Sequence, residues 1–193
     1  MSGSPFDIEL DEMTLARARR GNISACEVIY RNFSSPAYSI AYRICQNRET
    51  AQEIAQEAFI TAFRKLRQYR GDAPFWGWLR RVVVNHAISV IRKESRAETI
   101  EFQEYHVASE GDQERNGLAM DLDSALGQLG REDRAVVWLH DVEGYNHKEI
   151  AKLFGKTESF SKTRLSRART RLRGLLETGR APAGVSRHAG ARK

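Results

Sequence analysis

Apolar residues recur at three- and four-residue spacing in segment after segment, and this periodicity predicts an all-α chain. Leu10–Arg20 reads as a first helix, closed by Gly21 and followed by Asn22 as the cap of the next. A second helix is predicted from about Ser24 to Cys45 on Val28, Ile29, Phe33, Ile40 and Ile44, kinked or split at Ser34-Ser35-Pro36 because proline removes a helix donor. A turn around Asn47 precedes Glu49–Leu66, which turns Ile54, Ala58, Phe59, Ala62, Phe63 and Leu66 inward. Gln52, Glu53, Gln56 and Glu57 form an acidic-amide stripe on its other face. The turn Arg70-Gly71-Asp72 then opens a long helix. Asp72 is its expected N-cap, and Pro74 lies in the first turn, where a missing N–H costs nothing. Phe75, Leu79, Val82 and Val90, with Trp78 and His86 beside them, give its buried stripe. These elements predict a four-helix unit over residues 1–94.

The pattern lapses after Glu94. Residues 95–117 are polar, acidic and non-periodic, the composition of a flexible linker. Periodicity resumes near Leu118, with helices over Asp123–Leu129 and Arg131–Asp141 and Leu126, Leu129, Val136, Val137 and Leu139 as core. Gly144 ends the second, Asn146 caps His147–Phe154, and the turn Gly155-Lys156-Thr157 leads to Glu158–Glu177. A short helix, a glycine turn and a basic second helix are the sequence signature of a helix-turn-helix, so 118–178 forms a second unit. Leu165, Leu172 and Leu176 make the inner stripe of its last helix. Residues 179–193, rich in Gly, Ala, Pro and Arg, read as a disordered basic tail.

Charge sharpens this division. The net charge is +6, but residues 64–93 carry eight Lys/Arg and one Asp, and residues 156–193 carry eleven Lys/Arg and two Glu. The rest of the chain is therefore acidic. Two basic islands in an acidic chain imply two separate contacts with a polyanion. The two cysteines, Cys26 and Cys45, form no CxxC pair, which points to a reduced protein without a structural zinc site. No apolar run approaches the ~20 residues of a membrane span. The opening segment MSGSPFDIELDE lacks the basic-then-apolar order of a signal peptide. A cytoplasmic protein is expected.

Each candidate surface has a plainer alternative. Arg and Lys on the final helix could read base edges and phosphates in a major groove, or could merely be solvated. Tyr69 and Asn85 among basic residues suit an unstacked base, through stacking and edge hydrogen bonds. Aromatics at helical spacing are more often core, and Phe75 and Trp78 are assigned there. The Gln52/Glu53/Gln56/Glu57 stripe could dock a basic partner or simply face water. His86, His106, His140, His147 and His188 are scattered, with no catalytic triad, phosphate loop or metal cluster. No catalytic residue, metal or cofactor is expected.

From about Leu15 to Leu176 the chain resembles a bacterial RNA polymerase sigma factor of the extracytoplasmic-function (ECF) type. The pieces that carry the resemblance are ETAQEIAQEAFITAFRKLRQYRGDAPFWGWLRRVVVNHA, REDRAVVWLHDVEGYNHKEIAKLFG and KTRLSRARTRLR, in the family's order. The resemblance implies a non-enzymatic promoter-specificity subunit. Its partners would be bacterial core RNA polymerase (the largest-subunit clamp and the flap of the second-largest subunit), promoter DNA and an anti-sigma factor. Gln52, Glu53, Gln56 and Glu57 fall on the clamp-docking helix. The loop Tyr69, Arg70, Gly71, Asp72, with Asn85 behind it, would capture a flipped −10 base while Arg64, Lys65, Arg80 and Arg81 track phosphates. The acidic linker resembles the one threaded through the polymerase cleft. Ser159, Phe160, Lys162, Thr163, Arg164, Ser166 and Arg167 lie along the −35 reader.

The chain also departs from the family. Ser159-Phe160-Ser161 stands where Gly-Thr-Val is frequent, putting a bulky ring at the entrance of the −35 reader. Gly130 replaces a common proline, and Trp76 a common polar residue. Two other readings compete: a ligand-responsive helix-turn-helix regulator that binds palindromic operators without polymerase, and an enzyme acting on nucleic acid.

Overall fold

The structure, a computed structural model, describes residues 10–101 and 122–179. Among these residues every regular element is helical. The acidic start, most of the expected linker and the basic tail lie outside the described residues.

Local capping chemistry places the helix starts. Asp11 accepts a hydrogen bond from Thr14 N at 2.7 Å and opens α1 (Glu12–Arg19). Asn22 accepts from Ala25 N at 2.9 Å and opens α2 (Ile23–Cys45), and Asn47 accepts from Thr50 N at 2.9 Å at the head of α3 (Arg48–Lys65). Gly21 turns the chain between the first two at φ +82°, a conformation that glycine adopts without steric cost. A single 3-10 turn, Leu66–Gln68, and an exposed loop then lead to α4 (Phe75–Glu101).

The second unit comprises α5 (Leu122–Gly127), α6 (Arg131–Val137), α7 (His147–Phe154) and α8 (Glu158–Gly179). α6 runs on into one wider turn, Trp138–Val142, closed by Glu143 N on Trp138 O at 3.1 Å. Asn146 and Glu149 exchange side chain-to-backbone bonds and form the capping box expected at a helix start.

Four expectations change. α2 is continuous through Pro36, which is itself buried beside the fully enclosed Phe33 and Ala37. Packing on α1, α3 and α4 outweighs one lost backbone hydrogen bond. α4 begins at Phe75, not at Asp72: Pro74 O accepts from Trp78 N, and Asp72 lies in the loop. Its buried face is centred on Val83, Val84, Ala87, Ile88 and Ile91, with Val82 and Val90 only partly covered. The face is displaced because α4 packs on α2 and α3 and also on α6 and α7 of the second unit. Finally, α4 extends to Glu101, seven residues past the boundary read from composition.

Large side chains fill both cores: Ile29, Phe33, Ile44, Leu79, Ile88 and Ile91 in the first unit, Leu126, Leu139 and Ile150 in the second. Each such side chain contributes roughly 1.5–3 kcal/mol on burial. The two cores are continuous, and charged groups frame the junction. Arg134 of α6, only 4% exposed, donates Nε to Ile44 O at 3.0 Å and Nη2 to Cys45 O at 2.9 Å. Arg43 pairs with Asp123 and lies 5.5 Å from the Trp138 ring centre. Arg80 reaches Glu143, and Arg92 reaches Leu153 O at 3.4 Å.

Candidate nucleic-acid interface

On α3 the sequence alternates small and large apolar residues every three to four positions. Ala51, Ile54, Ala55, Ala58, Phe59 and Ala62 are buried, and Gln52, Glu53, Gln56 and Glu57 all face solvent on the opposite side. The edge of this surface is apolar: Tyr30 and Ile60 are more than two-fifths exposed, and Tyr30 packs edge-on against Phe59 at 4.9 Å. Arg64 and Lys65 are exposed at the C-terminal end, where the helix dipole favours cations.

The loop after α3 carries Arg70, Gly71, Asp72, Ala73 and Pro74 outward, with Gly71 at φ +85°. Tyr69 anchors it and is not itself presented. Its ring is 8% exposed and packed on Phe75 (5.5 Å) and Trp78 (5.6 Å). Its hydroxyl donates to Ala73 O at 2.5 Å, its carbonyl accepts from Arg19, and the Arg19 guanidinium covers its face at 5.5 Å. An enclosed ring offers no face for a base, so the stacking role expected of Tyr69 is replaced by a loop-holding one. Trp76 lies flat on Phe33, at 5.8 Å and 8°. A cleft of about 1350 Å³ runs beside the loop, lined by Arg19, Asp72, Phe75, Arg80 and Glu143 among others.

On α4, Arg81 and Asn85 are exposed and one turn apart, so they share a face. Arg80 is turned away from it: Nη1 bonds Glu143 Oε2 at 3.1 Å and Glu143 O at 3.3 Å. His86 sits at the α3–α4 contact, its Nε2 3.0 Å from Thr61 Oγ1. Burial holds it below the usual histidine range, with Lys65 adding to this and Glu57 opposing it.

In the helix-turn-helix, Gly155 adopts φ +64° to turn α7 into α8. One face of α8 is buried through Ser161, Leu165, Ala168 and Leu172. On the opposite face Lys162, Thr163, Ser166 and Arg167 stand in two i,i+4 pairs, all exposed, with Ser159 exposed one turn earlier. This is the geometry a helix needs to lie in a groove. Two of the expected readers are not on it. Phe160 turns inward onto Phe154 at 5.4 Å, so its ring does not obstruct the helix entrance. Arg164 spans this ring at 5.5 Å and bonds Glu132 at 2.5 Å and Asp133 at 3.0 Å. Its charge is neutralised within the fold.

Sequence reasoning missed Arg134, Glu143 and the His140–His147–Ser161 group. Arg134 carried a signal: a cation at the head of the apolar run 134–137 must find buried acceptors. Nothing local in the sequence marks the other groups.

Known proteins carry the same two-part pattern. The Sigma-70 region 2 profile matches residues 29–97 and the Sigma-70, region 4 profile matches residues 119–172. The ECF RNA polymerase sigma factor SigM of Mycobacterium tuberculosis is 30% identical over 167 residues, covering 86% of this chain and 84% of that protein. SigE of Mycolicibacterium smegmatis is 31% identical over 155 residues, 77% of this chain, and the alignment spans 60% of that longer relative. The fold is shared with the sigma factor RpoE of Bartonella quintana in complex with the anti-sigma factor NepR: TM-score 0.52, 21% identity, 78% of this chain and 96% of that one. CnrH in complex with the cytosolic domain of CnrY gives TM-score 0.50 at 23% identity, over 87% and 97%. The chain belongs to the ECF RNA polymerase sigma factors.

Proposed function

We propose that this sigma factor docks on bacterial core RNA polymerase through the Gln52/Glu53/Gln56/Glu57 face of α3 and places α8 on −35 duplex. It holds the opened −10 strand with the 69–72 loop and the outer face of α4. Residues 1–94 supply docking and −10 capture, residues 118–178 supply −35 reading, and the 95–117 segment joins them through the polymerase. Within this scheme Lys162, Thr163, Ser166 and Arg167 face the −35 groove. Arg64, Lys65, Arg70, Arg81 and Asn85 face the melted strand. Base capture and backbone contacts offset unstacking, which costs a few kcal/mol per base. The factor works in the cytoplasm and performs no chemistry of its own. Among the described residues no helix is long and apolar enough to cross a membrane.

The observation that carries this reading is the exposed basic and hydroxyl face of α8, on a chain whose other unit presents an acidic-amide helix and a separate basic loop. A ligand-responsive regulator would not need that second, acidic surface. Because the fold relative RpoE was solved in complex with an anti-sigma factor, a protein of that class is the expected inhibitor. The test is run-off transcription with purified core polymerase over genomic templates. Promoter-directed transcripts that require the chain support the reading; their absence on every template ends it.

A further inference from the structure

We infer that His147 is a positioning residue whose neutral ring braces α8 and whose protonation loosens it, so that −35 reading weakens as pH falls. The consequence for promoter reading rests on the sigma-factor reading; the brace itself does not.

The brace has both ends on α8. Ser161 Oγ shares a hydrogen bond with His147 Nδ1 at 3.0 Å. His147 stacks on His140, with ring centres 4.7 Å apart and 27° between the planes. His140 Nδ1 lies 2.7 Å from Asp141 Oδ1, and Arg169 returns the chain of contacts to α8. It donates Nε to Asp141 Oδ2 at 3.0 Å and Nη2 to Asp141 Oδ1 at 2.5 Å. Ser161 and Arg169 stand about 12 Å apart along the helix, at 1.5 Å per residue. Leu165, Ala168 and Leu172 also bury this side of α8, but apolar contacts are non-directional and tolerate a small rotation. Hydrogen-bonded attachment at two levels of one helix fixes its rotation about its own axis. That rotation decides where Lys162, the neighbour of Ser161, and Arg167 point.

Ser161 is fully enclosed and belongs to the Ser159-Phe160-Ser161 run that stands where Gly-Thr-Val is frequent in the family. An enclosed hydroxyl in place of valine needs a partner, and His147 supplies it. A neutral ring accepts the hydroxyl proton on Nδ1. A protonated ring carries a donor on both nitrogens and cannot.

The surroundings resist that proton. His140 faces His147 from the wide turn after α6, with Asp141 behind it, and Glu158, Lys162 and Arg169 face it from α8. On α7 itself Lys148 and Glu149 are exposed, and Glu149 closes the capping box on Asn146. From α4, Arg92 meets α7 only at its far end, on Leu153 O. Burial, His140, Lys162 and Arg169 hold His147 below the ordinary histidine value, and Glu158 opposes them. Asp141, bonded by Arg169, already has its charge engaged. The His140 and Asp141 side chains are 29% and 31% exposed, so solvent reaches the edge of the pair. The braced state is therefore complete above the unfolded histidine value near 6.5 and is lost as pH falls through the lower folded value.

The experiment uses the full chain in three forms. Beside wild type, His147→Asn keeps a hydrogen-bonding side chain that does not titrate, and Ser161→Ala removes the enclosed hydroxyl. Hydrogen exchange of the α8 amides, corrected for the intrinsic rate, reads the brace between about pH 7.5 and about pH 5.5. Affinity of the chain with core polymerase for a −35 duplex, taken from a promoter found by run-off transcription, reads the consequence. The polymerase's own pH dependence cancels against His147→Asn. In wild type, α8 protection and −35 affinity should both fall on acidification, the affinity by up to about tenfold per pH unit, the limit for one linked proton. His147→Asn should flatten both profiles, and Ser161→Ala should show a loosened α8 across the whole range. A flat wild-type profile, affinity that rises in acid, or a His147→Asn profile as steep as wild type overturns the inference. If no promoter-directed transcript is found, the sigma reading fails instead, and hydrogen exchange still decides the brace.

Discussion

Ser161 Oγ, fully enclosed on the buried face of α8, lies 3.0 Å from Nδ1 of His147 in the first turn of α7, and His147 stacks on His140 at 4.7 Å. The orientation of α8 is thus tied to an imidazole. Burial holds His147 below the ordinary histidine value, helped by the neighbouring His140, Lys162 and Arg169 and opposed by Glu158. A lowered folded value means the native state prefers the neutral ring. The stability associated with it is present above the unfolded value near 6.5 and lost as pH falls through the folded value. The melting temperature should fall between pH 7 and 5, and His147→Asn should flatten that fall when melts are followed across the same range.

Arg164 should act on stability more than on DNA. With its guanidinium shared by Glu132 and Asp133, Arg164→Ala should cost about 1–2 kcal/mol in urea unfolding. The salt dependence of −35 duplex binding should stay unchanged, because no phosphate contact is removed.

Tyr69 offers a two-step test of its anchoring role. Tyr69→Phe deletes only the hydroxyl bond to Ala73 O and should cost about 1 kcal/mol. Tyr69→Ala empties a packed site between Phe75 and Trp78 and should cost about 3 kcal/mol or more in denaturant unfolding.

Glu53→Lys together with Glu57→Lys should weaken core-polymerase affinity while circular dichroism and melting stay near wild type, since both side chains are exposed. Unchanged affinity would remove the docking face from α3.

Arg167→Ala should relax −35 discrimination by ~1–3 kcal/mol if the side chain reads a base edge. Binding measured on wild-type and single-base-changed duplexes separates this from uniform weakening, which would mark a phosphate contact.

Much of the molecule was legible without coordinates because helical order is local. Asn22 and Asn146 cap the helices they were expected to cap, Gly21, Gly144 and Gly155 turn where glycine turns were read, and the Gln52–Glu57 stripe faces solvent. A hydrogen bond four residues back and an apolar face repeating every 3.6 residues leave their marks within a short window.

What the chain order by itself determined, then, was the helices, their caps and the two basic islands. Tertiary packing decided which charges remain for a partner. Arg80, Arg134 and Arg164 share their side-chain chemistry with Arg81 and Arg167, yet the first three are engaged within the fold, by Glu143, by the carbonyls ending α2 and by Glu132 with Asp133. Their partners lie 31 to 90 residues away in sequence. The same distance in sequence separates Pro36 from the α4 contacts that help keep α2 continuous, and Tyr69 from Arg19 that covers it. A local window records a residue's phase on its helix. Whether that phase meets water or an opposing carboxylate depends on elements that only the folded chain brings alongside.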